Sequence, residues 1–572
     1  MISRETAIQR VVIENVSPEI DGGRVAVKRV VGERVVVEGD VFADGHDAIS
    51  ARLKFRHEQD SAWTDVAMGE IGKDRWRGSF RVHKPGTYYY TIEAWIDTHF
   101  STTYEPWLRV VVDPVLACFG SWYEVFPRSC ASEPGRHGTL QDLAQRLPRL
   151  AHMGFDVIYM PPIHPIGRTA RKGRNNTLVA QPDDPGSPWA VGAEEGGHKA
   201  IHPELGTLAD FQALLAHARA LHMEIALDIA LQCSPDHPYV HDHPEWFRRG
   251  PDGSIQCAED PPNRYEDVFP FDFASEQWES LWTELKSIFE FWIRQGVRVF
   301  RVDNPHTKPF VFWQWLIADL KKQWPGLIFL SEGLTRPGPM TYLAKVGFSQ
   351  AYDYFPWRTT KAELTAYYTA LTSGDLKEFF RPSLWVNTPQ LLPFILQSGG
   401  RPAFIMRLIL AATLGATYGI YGPVFELCEN RAVGPGSVDY LDSEQYELKC
   451  WPWKAPGTLV DLITRVNHIR RTNEALQSND RLVFHPVDNE QLIAYSKTTE
   501  DHSNVIVTIV TLDPHHAQHG FVNLVVGLLG LDTEASYTAH DLLTDARYAW
   551  HGARNYVELD PHKLPAHILR LE

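Results

Sequence analysis

The sequence predicts a multidomain protein: a (β/α)8 TIM barrel flanked by an N-terminal and a C-terminal β-sandwich domain. Three observations lead there. The strand-like run at 296–300 closes on Arg301-Val-Asp303-Asn304, and the run at 327–330 closes on Ser331-Glu332 a helix-length gap later. Strand, loop and helix signals repeat eight times over residues 116–478, the rhythm of a parallel barrel. On either side the pattern switches to short alternating segments.

Residues 1–115 carry the first of these: 10–16, 34–42, 50–57, 75–82, 86–95 and 107–112, punctuated by Gly, Asp and Lys-Pro. That spacing suits an immunoglobulin-like sandwich. The barrel strands are expected at 117–126, 157–160, 224–229, 297–303, 327–332, 350–355, 383–388 and 417–421. Amphipathic helices are expected at 140–152, 208–221, 275–295, 309–323 and 403–414. Two connections, 161–207 and 233–274, are too long to be mere links, and long loops at the carboxyl ends of barrel strands are where substrate is read. Alternation returns after 478, at 481–487, 491–498, 504–512, 537–543 and 567–572, for a closing sandwich at 479–572.

Composition narrows the function classes. Hydrophobic residues make up 44% of the 572, and the 18 Trp suit either large cores or stacking on sugar rings. A formal charge of −16 argues against nucleic acid or an anionic membrane as partner. Cys118, Cys130, Cys233, Cys257, Cys428 and Cys450 show neither CxxC spacing nor a disulfide framework. The charged start MISRETAIQR lacks a secretory apolar stretch, and no segment reaches the ~18 apolar residues of a membrane span, so a cytoplasmic protein without a cofactor is expected. The stretch Asp236-His237-Pro-Tyr-Val-His241-Asp242-His243 resembles a metal-ligand cluster but reads as loop structure.

Paired carboxylates on one barrel rim are what glycosidic-bond chemistry needs. Asp303 has the nucleophile's position. Arg301, two residues earlier, points to the same side of its strand and keeps that carboxylate ionised. Glu332 follows an apolar strand, so a dry setting raises its pKa and suits it to proton transfer.

Longer stretches then resemble one family. Gly120-Ser-Trp-Tyr-Glu-Val-Phe-Pro-Arg-Ser, Met160-Pro-Pro-Ile-His-Pro-Ile-Gly, Arg171-Lys-Gly-Arg-Asn-Asn-Thr-Leu, Leu227-Asp-Ile-Ala-Leu-Gln-Cys-Ser, Phe300-Arg-Val-Asp-Asn-Pro-His-Thr-Lys-Pro and Gly422-Pro-Val-Phe-Glu resemble the bacterial α-1,4-glucan:maltose-1-phosphate maltosyltransferases of the α-amylase clan. The resemblance implies that Asp303 attacks the donor's anomeric carbon and that Glu332 activates the acceptor's 4-hydroxyl. It implies that Asp228, Gln232 and Arg301 line the subsite of the reacting sugar. It places Lys172, Asn304 and Tyr265 around the donor's sugar or phosphate, and an α-glucan or maltooligosaccharide as acceptor.

Three departures stand out. The family has aspartate where Gln390 stands in Asn387-Thr-Pro-Gln390, and 379–425 hold no other acid. Loss of that charged hydrogen bond costs ~1.5–3 kcal/mol, or ~10–100-fold in rate. Asp260 and Asn263 replace the family's Asn and Lys near the phosphate, and an ionised Asp260 beside it is opposed by ~4 kcal/mol; an inward-turned Arg264 is the available compensation. Finally, Val111-Val-Asp-Pro-Val-Leu-Ala-Cys runs straight from sandwich to barrel, without the helical segment that contributes to the family's dimer, so a dimer of that type is not expected. Three readings follow: the parent maltosyl transfer; a retaining α-glucan hydrolase or transglycosylase with a non-phosphorylated or modified donor; and a weakly active glucan-binding paralogue.

Overall fold

A computed structural model describes residues 10–96, 101–260, 263–532, 534 and 536–572; the side chains of Asp260 and Asn263 lie outside the description. Eight parallel strands close into a barrel. They are β1 (Gly120–Glu124), β2 (Val157–Met160), β3 (Glu224–Ile229), β4 (Val299–Asp303), β5 (Ile328–Glu332), β6 (Gln350–Tyr352), β7 (Pro382–Trp385) and β8 (Thr417–Tyr421). Each falls on an expected strand, several of them shortened. Residues before β1 form a 3-10 turn, Val115–Ala117, rather than more strand.

Local chemistry sets the helices. Thr139, Thr207 and Thr360 each accept the backbone N–H three residues on, while Asp142, Asp210 and Glu363 return a bond to the cap's own N–H. The helix Trp278–Gln295 stops at Gly296, whose φ of 114° is open only to glycine at low cost. The helix Phe394–Leu414 begins nine residues earlier than its periodicity suggests. Gly400 (φ 55°) and Pro402 interrupt its first turns, which hides them from a 3.6-residue pattern.

The barrel interior is packed, not hollow. Trp122, Val157, Tyr159, Ala226, Val299, Leu330, Tyr352 and Trp385 fill it, with Tyr352 stacked on Trp385 at 4.9 Å. Large side chains below leave the chemistry only the rim above.

The first sandwich pairs a sheet of Val11–Ser17, Arg34–Ala43, Arg75–Arg81 and Gly69–Gly72 with a second sheet centred on Gly86–Trp95. Its one helical element among the described residues before the barrel is the turn at Val115–Ala117. Asp113 locks it to the barrel: the carboxylate is fully buried, and Lys321 (2.7 Å) and Arg381 (2.5 Å) reach it. The last sandwich is built on Leu492–Thr498, Val505–Thr511 and Ala566–Leu571. Three of its strands, Gln518–Asn523, Arg547–His551 and Arg554–Leu559, are not evident in advance, because Gly520 and Asn555 fill buried places and Tyr548 and Tyr556 face out. No described helix is long and apolar enough to cross a membrane.

Candidate active site

Strand register builds the site. Asp228 on β3 lies opposite Arg301 on β4, and Asp303 lies opposite Glu332 on β5. Alternation then turns Arg301 and Asp303 to the same side. Arg301 Nη1 donates to Asp303 Oδ1 at 2.8 Å and to Asp228 Oδ2 at 2.9 Å, while Nη2 lies 3.6 Å from Glu332 Oε2. The guanidinium lies within 6 Å of the Tyr159 and Tyr352 ring centroids, with its centre 5.6 and 5.7 Å away. Three carboxylates therefore converge on one buried cation.

Their settings differ, which separates their roles. Asp228 is fully buried, and Tyr159 (2.6 Å) and Trp189 (3.1 Å) also donate to its Oδ2. Its Oδ1 has no partner and is an unused acceptor. Burial, opposed by Arg301 and reinforced by Asp303, pushes the Asp228 carboxyl up to about 6. Glu332 keeps 18% of its side chain exposed at the rim and accepts the Asn304 N–H at 3.2 Å. Burial pushes it up to about 7, again opposed by Arg301 and reinforced by Asp303. An acid poised near neutrality beside one clamped by a guanidinium is the division of labour that proton transfer plus nucleophilic attack requires.

Asn304 forms the corner after β4 in a left-handed conformation (φ 42°, ψ 51°). Its side chain donates to Asp303 Oδ2 at 3.4 Å. Gln232 is held by its bond to the Trp189 carbonyl (3.1 Å), which ties it to the loop that touches Asp228. Gln390 sits half-buried in the turn after β7, closed by the Thr388–Leu391 bridge. Asn387 steadies that turn by accepting from Tyr421 N–H and donating to Tyr440, both at 2.9 Å. Among the described residues, Gln390 shares the rim with the carboxylates but no hydrogen bond joins it to them.

On the donor side, Lys172 is 3% exposed, and its ammonium pairs closely with Glu266. Beside Glu266, Asp267 is buried with Oδ1 unpartnered, and burial lifts it to about 6. Tyr265 packs half-buried against Ile166, Ala190 and Val268. Asp260 and Asn263 are register partners in the hairpin of Ala258–Asp260 and Asn263–Tyr265. Arg264 does not turn inward: its side chain is 63% exposed and reaches Cys257 Sγ at 3.0 Å and Glu259 at 3.5 Å.

His198, Cys233 and His237 bring three possible ligand atoms together. The hydrogen bonds do not fit a metal. Tyr239 N–H donates to His237 Nδ1 (3.0 Å), so His237 Nε2 carries the proton and donates it to His198 Nδ1 (3.0 Å). His198 Nε2–H in turn meets the Ala230 carbonyl (2.8 Å), which completes a satisfied buried chain.

Sequence reasoning missed Tyr159, Trp189 and Glu266 as residues that touch the candidate site. Tyr159 could have been found, since it follows Val157 by two on a buried strand. Trp189 and Glu266 lie on long loops whose reach no periodicity gives.

A closed parallel barrel with two rim carboxylates on neighbouring strands defines an α-amylase-type glycoside-processing enzyme. Solved structures agree on the fold. A maltogenic α-amylase from Thermotoga neapolitana aligns with a TM-score of 0.62 at 19% identity, over 79% of this chain and 98% of its own. An α-amylase from Lactobacillus plantarum gives 0.60 at 20% identity, over 80% and 99%. An α-amylase catalytic-domain model matches 124–287. The family model of alpha-1,4-glucan:maltose-1-phosphate maltosyltransferase, domain N/S, matches 9–110, and the C-terminal model of the same group matches 484–571. Curated maltosyltransferases of that name from Chlorobaculum tepidum and Methylacidiphilum infernorum are each 44% identical, over 98% of this chain and 96% of their own length. One from Streptomyces coelicolor is 42% identical over 99% and 96%. The chain belongs to the α-1,4-glucan:maltose-1-phosphate maltosyltransferase family. The first alignment spans 648 positions against 572 residues, so that relative carries at least 76 positions (648 − 572) absent here.

Proposed function

We propose that this protein transfers a maltosyl unit from α-maltose 1-phosphate to the non-reducing end of an α-1,4-glucan, with retention at the anomeric carbon. The observation that carries the mechanism is the shared clamp: Asp303 and Glu332 are register partners, and one guanidinium reaches both. In the first step an Asp303 oxygen bonds to the anomeric carbon as the bond to the phosphate oxygen breaks, and phosphate departs with the electron pair. In the second, Glu332 takes the proton of the acceptor's 4-hydroxyl. That oxygen then displaces Asp303 from the opposite face, so two inversions give net retention. Arg301 holds Asp303 in place through a 2.8 Å hydrogen bond, and Asp228, with its free Oδ1, accepts hydroxyls of the reacting sugar.

Family membership supports the donor and acceptor. Incubation with α-maltose 1-phosphate and maltohexaose tests them: phosphate release with chain growth in two-glucose steps is the expected result.

One observation favours a second reading, a retaining hydrolase or transglycosylase with a non-phosphorylated donor. The two cations offered at the donor loop, Lys172 and Arg264, are both already paired with carboxylates. Reducing sugar released from maltooligosaccharides without phosphate would select that reading. The direct passage from the first sandwich to the barrel, with only the Val115–Ala117 turn between them, supports a monomer, or an assembly other than the family's dimer.

A further inference from the structure

Lys308 lies five residues past Asp303 and has no part in the mechanism above. It is 9% exposed, so its ammonium is almost wholly withdrawn from water. A buried lysine is expensive unless something nearby uses its charge. Its Nζ donates to the carbonyl of Asn304 at 3.2 Å. The same carbonyl accepts the Thr307 N–H at 3.2 Å and the Thr307 hydroxyl at 2.8 Å. Three donors thus converge on one oxygen, at the left-handed corner that follows the nucleophile.

That corner is a conformation few residues with a side chain adopt, and it persists only where its surroundings over-determine it. What it achieves is an orientation. With φ at 42° and the carbonyl pinned, the Asn304 N–H points at Glu332 Oε2 (3.2 Å) and its side-chain amide at Asp303 Oδ2 (3.4 Å). Asn304 therefore touches both reacting carboxylates through its N–H and its side chain, and the lysine holds the carbonyl of the same residue. Charge leads to the same place. Asp228, Asp303 and Glu332 would carry three negative charges against Arg301 alone. Lys308 supplies a second cation within range of all three, and with Glu332 protonated the cluster is neutral.

We propose that Lys308 is a positioning residue for maltosyl transfer: by holding the Asn304 carbonyl it keeps the Asn304 amides on Glu332 and Asp303 and supplies the second positive charge of the cluster. The proposal rests on the reading of Asp303 and Glu332 as the reacting pair. Glu332 is faced by Arg301 and Asp303 from β4, Asp228 from β3, Glu124 from β1 and Tyr352 from β6. Of these only Arg301 is a cation, so removal of Lys308 has no local substitute.

The test uses the full chain with α-maltosyl fluoride as donor and maltohexaose as acceptor, followed by fluoride release over pH. Fluoride departs without a phosphate contact, so the assay reads the carboxylate pair whichever natural donor is correct. Lys308→Met is expected to lower kcat by ~10–100-fold with donor KM within a few-fold. It should also move the acid limb of the kcat/KM profile for maltohexaose to higher pH, because Glu332, the base toward the acceptor hydroxyl, loses both a facing cation and a held N–H. Lys308→Arg should restore most of the rate and return the limb. Thr307→Val, which removes a neutral donor from the same carbonyl, should lower kcat several-fold and is the fallback if Lys308→Met does not fold. An unmoved pH limb in a folded Lys308→Met enzyme, or wild-type kinetics in Thr307→Val where Lys308→Met is unfolded, overturns the proposal. A wild-type enzyme that releases fluoride but no phosphate from α-maltose 1-phosphate overturns the donor assignment instead and leaves Lys308 testable.

Discussion

Asp303 and Glu332 face each other at the ends of neighbouring strands, and Arg301 meets the first at 2.8 Å and the second at 3.6 Å. The unequal grip matters. The contact to Glu332 is the looser one and leaves it to burial, which favours the neutral acid.

Glu332 should impose an alkaline limit. Its carboxyl is pushed up to about 7 by burial, so it is protonated below that pH and loses its proton above it. The kcat/KM for a donor that needs protonation should therefore fall as pH rises through about 7. Glu332→Gln should remove the limb and lower kcat by ~10²–10⁴-fold. A pH–rate series on both proteins checks it, and an alkaline limb that survives in Glu332→Gln would assign the titration elsewhere.

Gln390 lies half-buried in the turn after β7, and we propose that it stands in place of the family's carboxylate. Gln390→Asp should raise kcat by ~10–100-fold if the site is an attenuated parent enzyme. A decrease would mean that glutamine is fitted to a different sugar. Parallel kinetics with α-maltose 1-phosphate and with α-maltosyl fluoride distinguish the two.

Glu266 holds the Lys172 ammonium. Glu266→Gln should free that buried cation for an anionic leaving group and lower KM for α-maltose 1-phosphate several-fold, with KM for maltosyl fluoride unchanged. Equal effects on both donors would show that the ion pair acts on loop structure instead.

Lys497, in the strand Leu492–Thr498, is 1% exposed and donates to Asn479 at 3.0 Å. Burial, with Arg470 adding, draws its pKa down to about 7, against about 10.4 for a lysine in the unfolded chain. Between those values the unfolded chain binds the extra proton, so stability should rise with pH across that window; below it the penalty is full. Lys497→Met should be more stable than wild type at pH 6 by on the order of a few kcal/mol, the margin narrowing toward pH 10. Denaturant titrations at several pH values measure it, and a pH-independent difference would refute it.

The barrel was legible because its strands are short apolar runs and its helices are strongly periodic. The paired acids were legible because each ends such a run. What could not be read depends on contacts between distant loops. Trp189 reaches Asp228 from 39 positions away, and Glu266 reaches Lys172 across 94. The outward turn of Arg264 is equally a matter of loop packing, with Cys257 and Glu259 as its partners. Strands such as Gln518–Asn523 escaped notice because Gly520 fills a buried place and Gln518 and His519 add nothing apolar, so the sequence does not show the alternation.

The most direct measurement is of the bond itself. The Glu332→Ala enzyme, incubated with 2-deoxy-2-fluoro-α-maltosyl fluoride, should gain one fluoromaltosyl unit by intact mass. Peptide mapping should place it on Asp303, and Asp303→Asn should take up none. An adduct on Asp228 or any other side chain, or no adduct from an enzyme that consumes the fluoride, would contradict Asp303 as the nucleophile.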